Sequence, residues 1–124
     1  MKLIDANVIL RYLLKEPLDQ AEKAKAVIES GAFTTMEVMS EVVYVLQKVY
    51  AISRDEISVA VTEIASDIAI DEYEVLILAM DFFRARKLDF VDCVLAARSV
   101  VKKDDVFSFD KKLMSLINTL RKSP

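Results

Sequence analysis

Four apolar runs in this chain are too short to be helices, and they are separated by stretches whose apolar residues recur with helical period. That alternation leaves few folds open. Residues 1–4, 32–34, 68–70 and 106–108 read as short buried strands. Between them the spacing predicts helices over 8–14, 19–29, 35–50, 73–86, 89–103 and 111–120, with one more opening at Ser53. The punctuation agrees: the first helix stops before Pro17, and Ser30-Gly31 ends the second. Thr34-Thr35-Met36-Glu37 and Ser53-Arg54-Asp55-Glu56 each carry the spacing of a capping box. Strands joined through helices pair in parallel, so the fold class is α/β, a short-stranded parallel sheet flanked by helices. With 124 residues, no repeat and no linker, the chain is expected to form one domain over residues 1–124.

Composition acts mostly by exclusion. No histidine is present, which removes Ser-His-Asp and Cys-His nucleophile systems and any imidazole base. A single glycine, Gly31, cannot supply a dinucleotide fingerprint or a P-loop. The lone Cys93 lies in the apolar run Cys93-Val94-Leu95-Ala96-Ala97 and reads as a buried thiol in a reducing compartment. The longest uninterrupted apolar run, residues 75–80, is far short of the ~20 residues of a membrane span, so a cytoplasmic protein is expected. A net charge of −3 argues against unspecific attraction to phosphate backbones, although a metal and a local basic patch can reverse the field at a site. The 54% hydrophobic content is high for so short a chain. Residues 42–46 and 75–78 exceed what one helix face each can bury, and a homodimer or higher homo-oligomer is expected to cover the surplus.

Against this background four acids stand out. Asp5, Glu41, Asp92 and Asp110 each interrupt or abut an apolar segment. A buried carboxylate without a partner costs several kcal/mol, and nothing basic adjoins Asp5, Glu41 or Asp92 in sequence. A divalent cation would be the missing partner, and oxygen-only ligation favours magnesium or manganese over zinc. Asp5 ends the first expected strand and Asp110 follows the last, which would place both at the carboxyl edge of a parallel sheet. Asp92 falls in a first helical turn, three residues after an expected N-cap, Asp89. Glu41 has Val38 and Val45 as face neighbours and would project from the apolar side of its helix. Each acid also has a plain structural reading: Asp5 and Asp110 as N-caps, Asp92 as a first-turn acid. Glu41, in mid-helix, has none.

The segments Leu3-Ile4-Asp5-Ala6-Asn7, Ser40-Glu41-Val42-Val43, Asp89-Phe90-Val91-Asp92-Cys93 and Phe107-Ser108-Phe109-Asp110-Lys111 resemble, in order and spacing, the four acidic motifs of PIN domains. The likeness spans the whole chain, and its small format is similar to the VapC-type toxin ribonucleases. The resemblance implies a three-layer α/β/α domain acting as a Mg2+- or Mn2+-dependent endoribonuclease, with an antitoxin protein as partner. Asp5, Glu41 and Asp92 match the three acids of the family's metal site, and Asp110 its more variable fourth. Asn7 and Ser108 fall where the family often has supporting polar residues, and Asp89 is a supporting or capping group. One departure is visible: Val101-Lys102-Lys103-Asp104 lacks the glycine common before the last strand.

The chemistry requires such residues because a phosphodiester is anionic and resists hydroxide, so its charge must be neutralised while a nucleophile forms near neutral pH. Arg11, Lys111 and Lys112 are candidate phosphate contacts, with plain surface charge as the alternative. Two other classes stay open: a catalytically silent PIN-like binding module, and a phosphorylation receiver. The receiver is disfavoured by Ala6-Asn7, where an acidic cluster would follow the first strand.

Overall fold

The computed structural model describes residues 1–122. Among them are three strands and seven helices: β1 (Lys2–Leu3), α1 (Ala6–Leu14), α2 (Leu18–Glu29), β2 (Ala32–Thr34), α3 (Met36–Lys48), α4 (Arg54–Asp67), β3 (Ala69–Ile70), α5 (Tyr73–Ala85), α6 (Phe90–Val101) and α7 (Lys111–Lys122). The strands form one parallel sheet in the order β1-β2-β3, so the α/β class is as the sequence implies. No helix among the described residues is long and apolar enough to cross a membrane. The chain divides into two compact units, Met1–Tyr73 and a second beginning at Glu74.

The first unit is built on β2, which lies between its neighbours with Lys2 opposite Ala32 and Thr34 opposite Ile70. Thr34 is fully buried, and its hydroxyl is satisfied by donating to the Ile4 carbonyl at 2.8 Å. The chain enters β2 through Gly31 at φ +102°, a left-handed turn that a side chain would strain. Its carbonyl accepts the Lys2 N–H at 3.1 Å, which ties the turn to β1. α1 buries Ala6, Ile9 and Leu10, and α3 buries Met36, Met39, Val42, Val43 and Leu46. α4 opens at Ser53, whose hydroxyl accepts the Glu56 N–H and donates to its carboxylate, both at 3.2 Å.

In the second unit α5 buries Val75, Leu76, Ala79, Met80 and Phe83, and α6 buries Phe90, Cys93, Val94, Ala96 and Ala97. Phe83 meets Phe90 edge to face, with ring centroids 6.0 Å apart, a geometry aromatic pairs favour. α7 adds Leu113, Leu116 and Ile117, all deeply buried. Arg98 pairs with Asp104 at 2.6 Å and Arg121 with Asp105 at 2.8 Å, and together they fix the segment between α6 and α7.

Two sequence expectations are corrected. Residues 106–108 form no strand among the described residues: Val106-Phe107 has strand propensity, but a strand exists only where a neighbour completes its ladder. Asp110 is therefore preceded by a loop and not by a sheet edge. The cap of α3 is Thr35, one residue later than the Thr34–Glu37 spacing suggested, because the Thr34 hydroxyl is already engaged by Ile4.

Candidate functional site

Asp5 follows β1 in extended conformation and caps α1, its Oδ1 accepting the Val8 N–H at 3.1 Å. The carboxyl edge of the sheet carries two further caps. Thr35, after β2, accepts the Val38 N–H at 3.3 Å, and Asp71, after β3, accepts the Met36 N–H at 3.0 Å. Parallel strands ending together and feeding helices leave unpaired helix N–H groups at this edge, and two carboxylates and a hydroxyl meet them. Asp71 was not singled out from the sequence. Its signal was the same as that of Asp5, an acid directly after a short apolar run.

Glu41 is exposed, which corrects its expected place on the apolar side of α3. The buried stripe runs through Met36, Met39, Val42, Val43 and Leu46, whereas Val38 and Val45, the residues flanking Glu41, are only half-buried. Asn7 is exposed on α1 and, with Arg11 and Lys23, borders a shallow cavity of about 210 Å³. Arg11 is held within the fold. Its guanidinium donates to the Glu16 carbonyl at 2.8 Å and to the Tyr50 hydroxyl at 3.3 Å, and so fastens the end of α1.

In the second unit, α6 starts after Asp89 and carries Asp92 in its first turn. Burial pushes the Asp92 carboxyl above its ordinary value, and the charges of Asp110 and Asp89 push it further. Two acids of this unit therefore act on Asp92. Asp110 caps α7, its Oδ1 accepting the Leu113 N–H at 2.9 Å, while its own N–H donates to the Ser108 hydroxyl at 3.0 Å. Ser108 thus supports Asp110 directly.

The donor chemistry fits a hard divalent ion. All four acids present oxygen, none pairs with Lys or Arg among the described residues, and Asp5 and Asp110 each cap through one carboxylate oxygen only. Among the described residues no group of three or more acids is assembled closely enough to hold an ion without adjustment.

The PIN domain family matches residues 2–117 of the chain. The chain belongs to the PIN domain family. PIN domains are generally metal-dependent nucleases, and this membership sets aside the receiver-like alternative. No curated protein and no solved structure matches the chain. The missing glycine before the last motif also finds its place in this PIN domain. Lys103 adopts φ +60°, the left-handed conformation that a glycine would take there without strain.

Proposed function

We propose that this PIN domain is an endoribonuclease that requires magnesium or manganese, with Asp5, Glu41, Asp92 and Asp110 as the metal-holding acids. The observation that carries the reading is Asp92, a carboxylate raised by burial and by two neighbouring acids, with no basic partner among the described residues. An arrangement of that kind is costly for a fold and useful to a cation. When bound, a divalent ion supplies the positive field that lowers the pKa of a water and stabilises the oxygens of the transition state. The chain's own contribution is orientation. The caps fix Asp5 and Asp110 through one oxygen, Ser108 holds the backbone of Asp110, and the first turn of α6 aims Asp92.

The test is cleavage of RNA by the purified protein with manganese, arrested by EDTA and abolished in Asp5→Asn and in Asp92→Asn. Full activity in both variants would remove the proposal. Metal binding with no cleavage of RNA would instead make the chain a binding module. Within the same reading, the likeness of the four acidic motifs to those of the VapC-type ribonucleases supports a toxin role with an antitoxin partner. A cytoplasmic setting suits Cys93, a buried cysteine that forms no disulfide. The exposed Tyr44, Val49 and Val59 support a homodimer, which sedimentation at micromolar concentration would reveal.

A further inference from the structure

A line of hydrogen bonds crosses the carboxyl edge of the sheet and ends at Asp71. The Ile4 carbonyl, beside Asp5 in the chain, accepts the buried Thr34 hydroxyl at 2.8 Å. The Thr34 carbonyl accepts the Asp71 N–H at 3.4 Å, and the Asp71 Oδ1 accepts the Met36 N–H at 3.0 Å. The turn after β3 thus grips the chain on both sides of Thr35, the residue that opens α3. Starting the helix does not require this grip. Thr35 already caps α3, its hydroxyl accepting the Val38 N–H at 3.3 Å, as Asp5 caps α1 and Asp110 caps α7. A cap made between residues three apart fixes where a helix begins, but not where it lies against the sheet. A carboxylate brought from 35 residues away fixes the second.

The place of α3 decides the place of Glu41, which follows Met36 by roughly 7.5 Å along the helix axis at about 1.5 Å per residue. Asp5 stands at the other end of the same line. We propose that Asp71 is a positioning residue of the metal site: by clamping α3 to the sheet it sets the spacing of Glu41 from Asp5, and it acts through Glu41 without being a ligand. The inference rests on the metal-dependent reading above and deepens it by naming the group that keeps two of its acids in register. Position matters unequally to different ions. Magnesium demands near-ideal octahedral oxygens at about 2.0–2.1 Å, whereas calcium accepts irregular sets at about 2.3–2.6 Å. A loosened α3 therefore penalises magnesium more than calcium, whereas the loss of a ligand charge penalises both.

The experiment is titration of the full chain with magnesium and with calcium, each Kd taken from the rise in melting temperature, for wild type, Asp71→Ala, Asp71→Asn and Ser53→Ala. Asp71→Ala should bind magnesium about ten-fold more weakly or worse, the usual effect of losing a group that orients a metal ligand, and calcium no more than about three-fold more weakly. Asp71→Asn keeps an acceptor for the Met36 N–H and should bind both ions within about two-fold of wild type. Ser53→Ala removes a cap of the same kind from α4; it should melt lower with both affinities unchanged, which separates lost stability from lost position. Amide exchange in EDTA reads the clamp without metal, and residues 36–41 should exchange faster in Asp71→Ala but not in Asp71→Asn. Equal weakening of the two ions in Asp71→Ala, or an Asn variant as weak as the Ala variant, would overturn the positioning role, because either outcome makes Asp71 a source of charge at the ion. Unchanged magnesium affinity in Asp71→Ala would overturn it as well and leave the metal reading standing. A wild type that binds neither ion would remove both.

Discussion

Asp5 and Asp110 each cap a helix and are each proposed to hold a metal ion, and one pair of substitutions can separate the two roles. Asparagine keeps an oxygen able to cap and removes the charge, whereas alanine removes both. Asn and Asp rank together as caps, while replacement by Ala costs about 0.5–2 kcal/mol. The hydrogen bonds at stake are those to the Val8 N–H at 3.1 Å and the Leu113 N–H at 2.9 Å. For 124 residues, an unfolding entropy of about 2.1 cal/mol/K per residue makes 1 kcal/mol worth roughly 4 °C. In EDTA, Asp5→Ala and Asp110→Ala should therefore melt about 2–8 °C below wild type, and the Asn variants close to it. Manganese at one hundred times Kd should raise the wild type by about 2.7 kcal/mol, roughly 10 °C, and both members of each pair should lose most of that rise. Thermal melts of the five proteins with and without metal measure both effects. An Asn variant with the full manganese shift would refute the ligand assignment, and an Ala variant as stable as its Asn counterpart would refute the capping argument.

Three other outcomes follow from single residues. Asp92 is raised above 3.8 in the folded state, so the native chain holds its proton more tightly than the unfolded one. This penalty is absent below the unfolded pKa and develops as pH rises through the native value; Asp92→Asn should therefore be as stable as wild type or more so at pH 7 without metal, with the difference vanishing in urea melts near pH 3. Lys103→Gly should gain about 0.5 kcal/mol, since a left-handed penalty of roughly 1–2 kcal/mol is offset only in part by the chain entropy of glycine, and a lower Tm would contradict this. The Cys93 thiol, fully buried, should react with a thiol reagent only after denaturant is added, and prompt labelling of the native protein would show it to be accessible.

Local chemistry was legible in the sequence, and the pairing partners of the strands were not. Ser53-Arg54-Asp55-Glu56 announced its helix because a cap is made between residues three apart, and Gly31 marked a turn because only local backbone geometry decides it. Strand order is not local, and no residue pattern in the sequence marks β2 as the middle strand. The expected strand over 106–108 failed for the same reason: its apolar residues were visible, the missing ladder was not. Glu41 shows the limit of periodicity. Val38 and Val45 are apolar and correctly spaced, but they border the stripe of Met39, Val42 and Leu46, and a small rotation about the helix axis moves a side chain from the core to solvent. The hydrogen bonds of Arg11 were not legible because its partners, Glu16 and Tyr50, are brought to it only by the turn after α1 and the segment after α3.

The capping role of Asp5 and Asp110 does not compete with the metal-holding role proposed for them, because each cap uses only one carboxylate oxygen. A cap fixes one carboxylate oxygen against a backbone N–H and so restricts the side chain before any ion arrives, which reduces the ordering that binding must otherwise impose. A lysine or arginine partner would restrict it as well, but it would also neutralise the charge that attracts a cation. Helix N-termini give the restriction without the neutralisation, since a backbone dipole offers only partial charge. Asp92 lies where this device reaches its limit: the first turn of α6 favours its charge, yet burial and the neighbouring Asp89 and Asp110 oppose it more strongly. The residual penalty is what a bound cation would remove. It therefore belongs to the site's affinity for metal as much as to the instability of the metal-free fold.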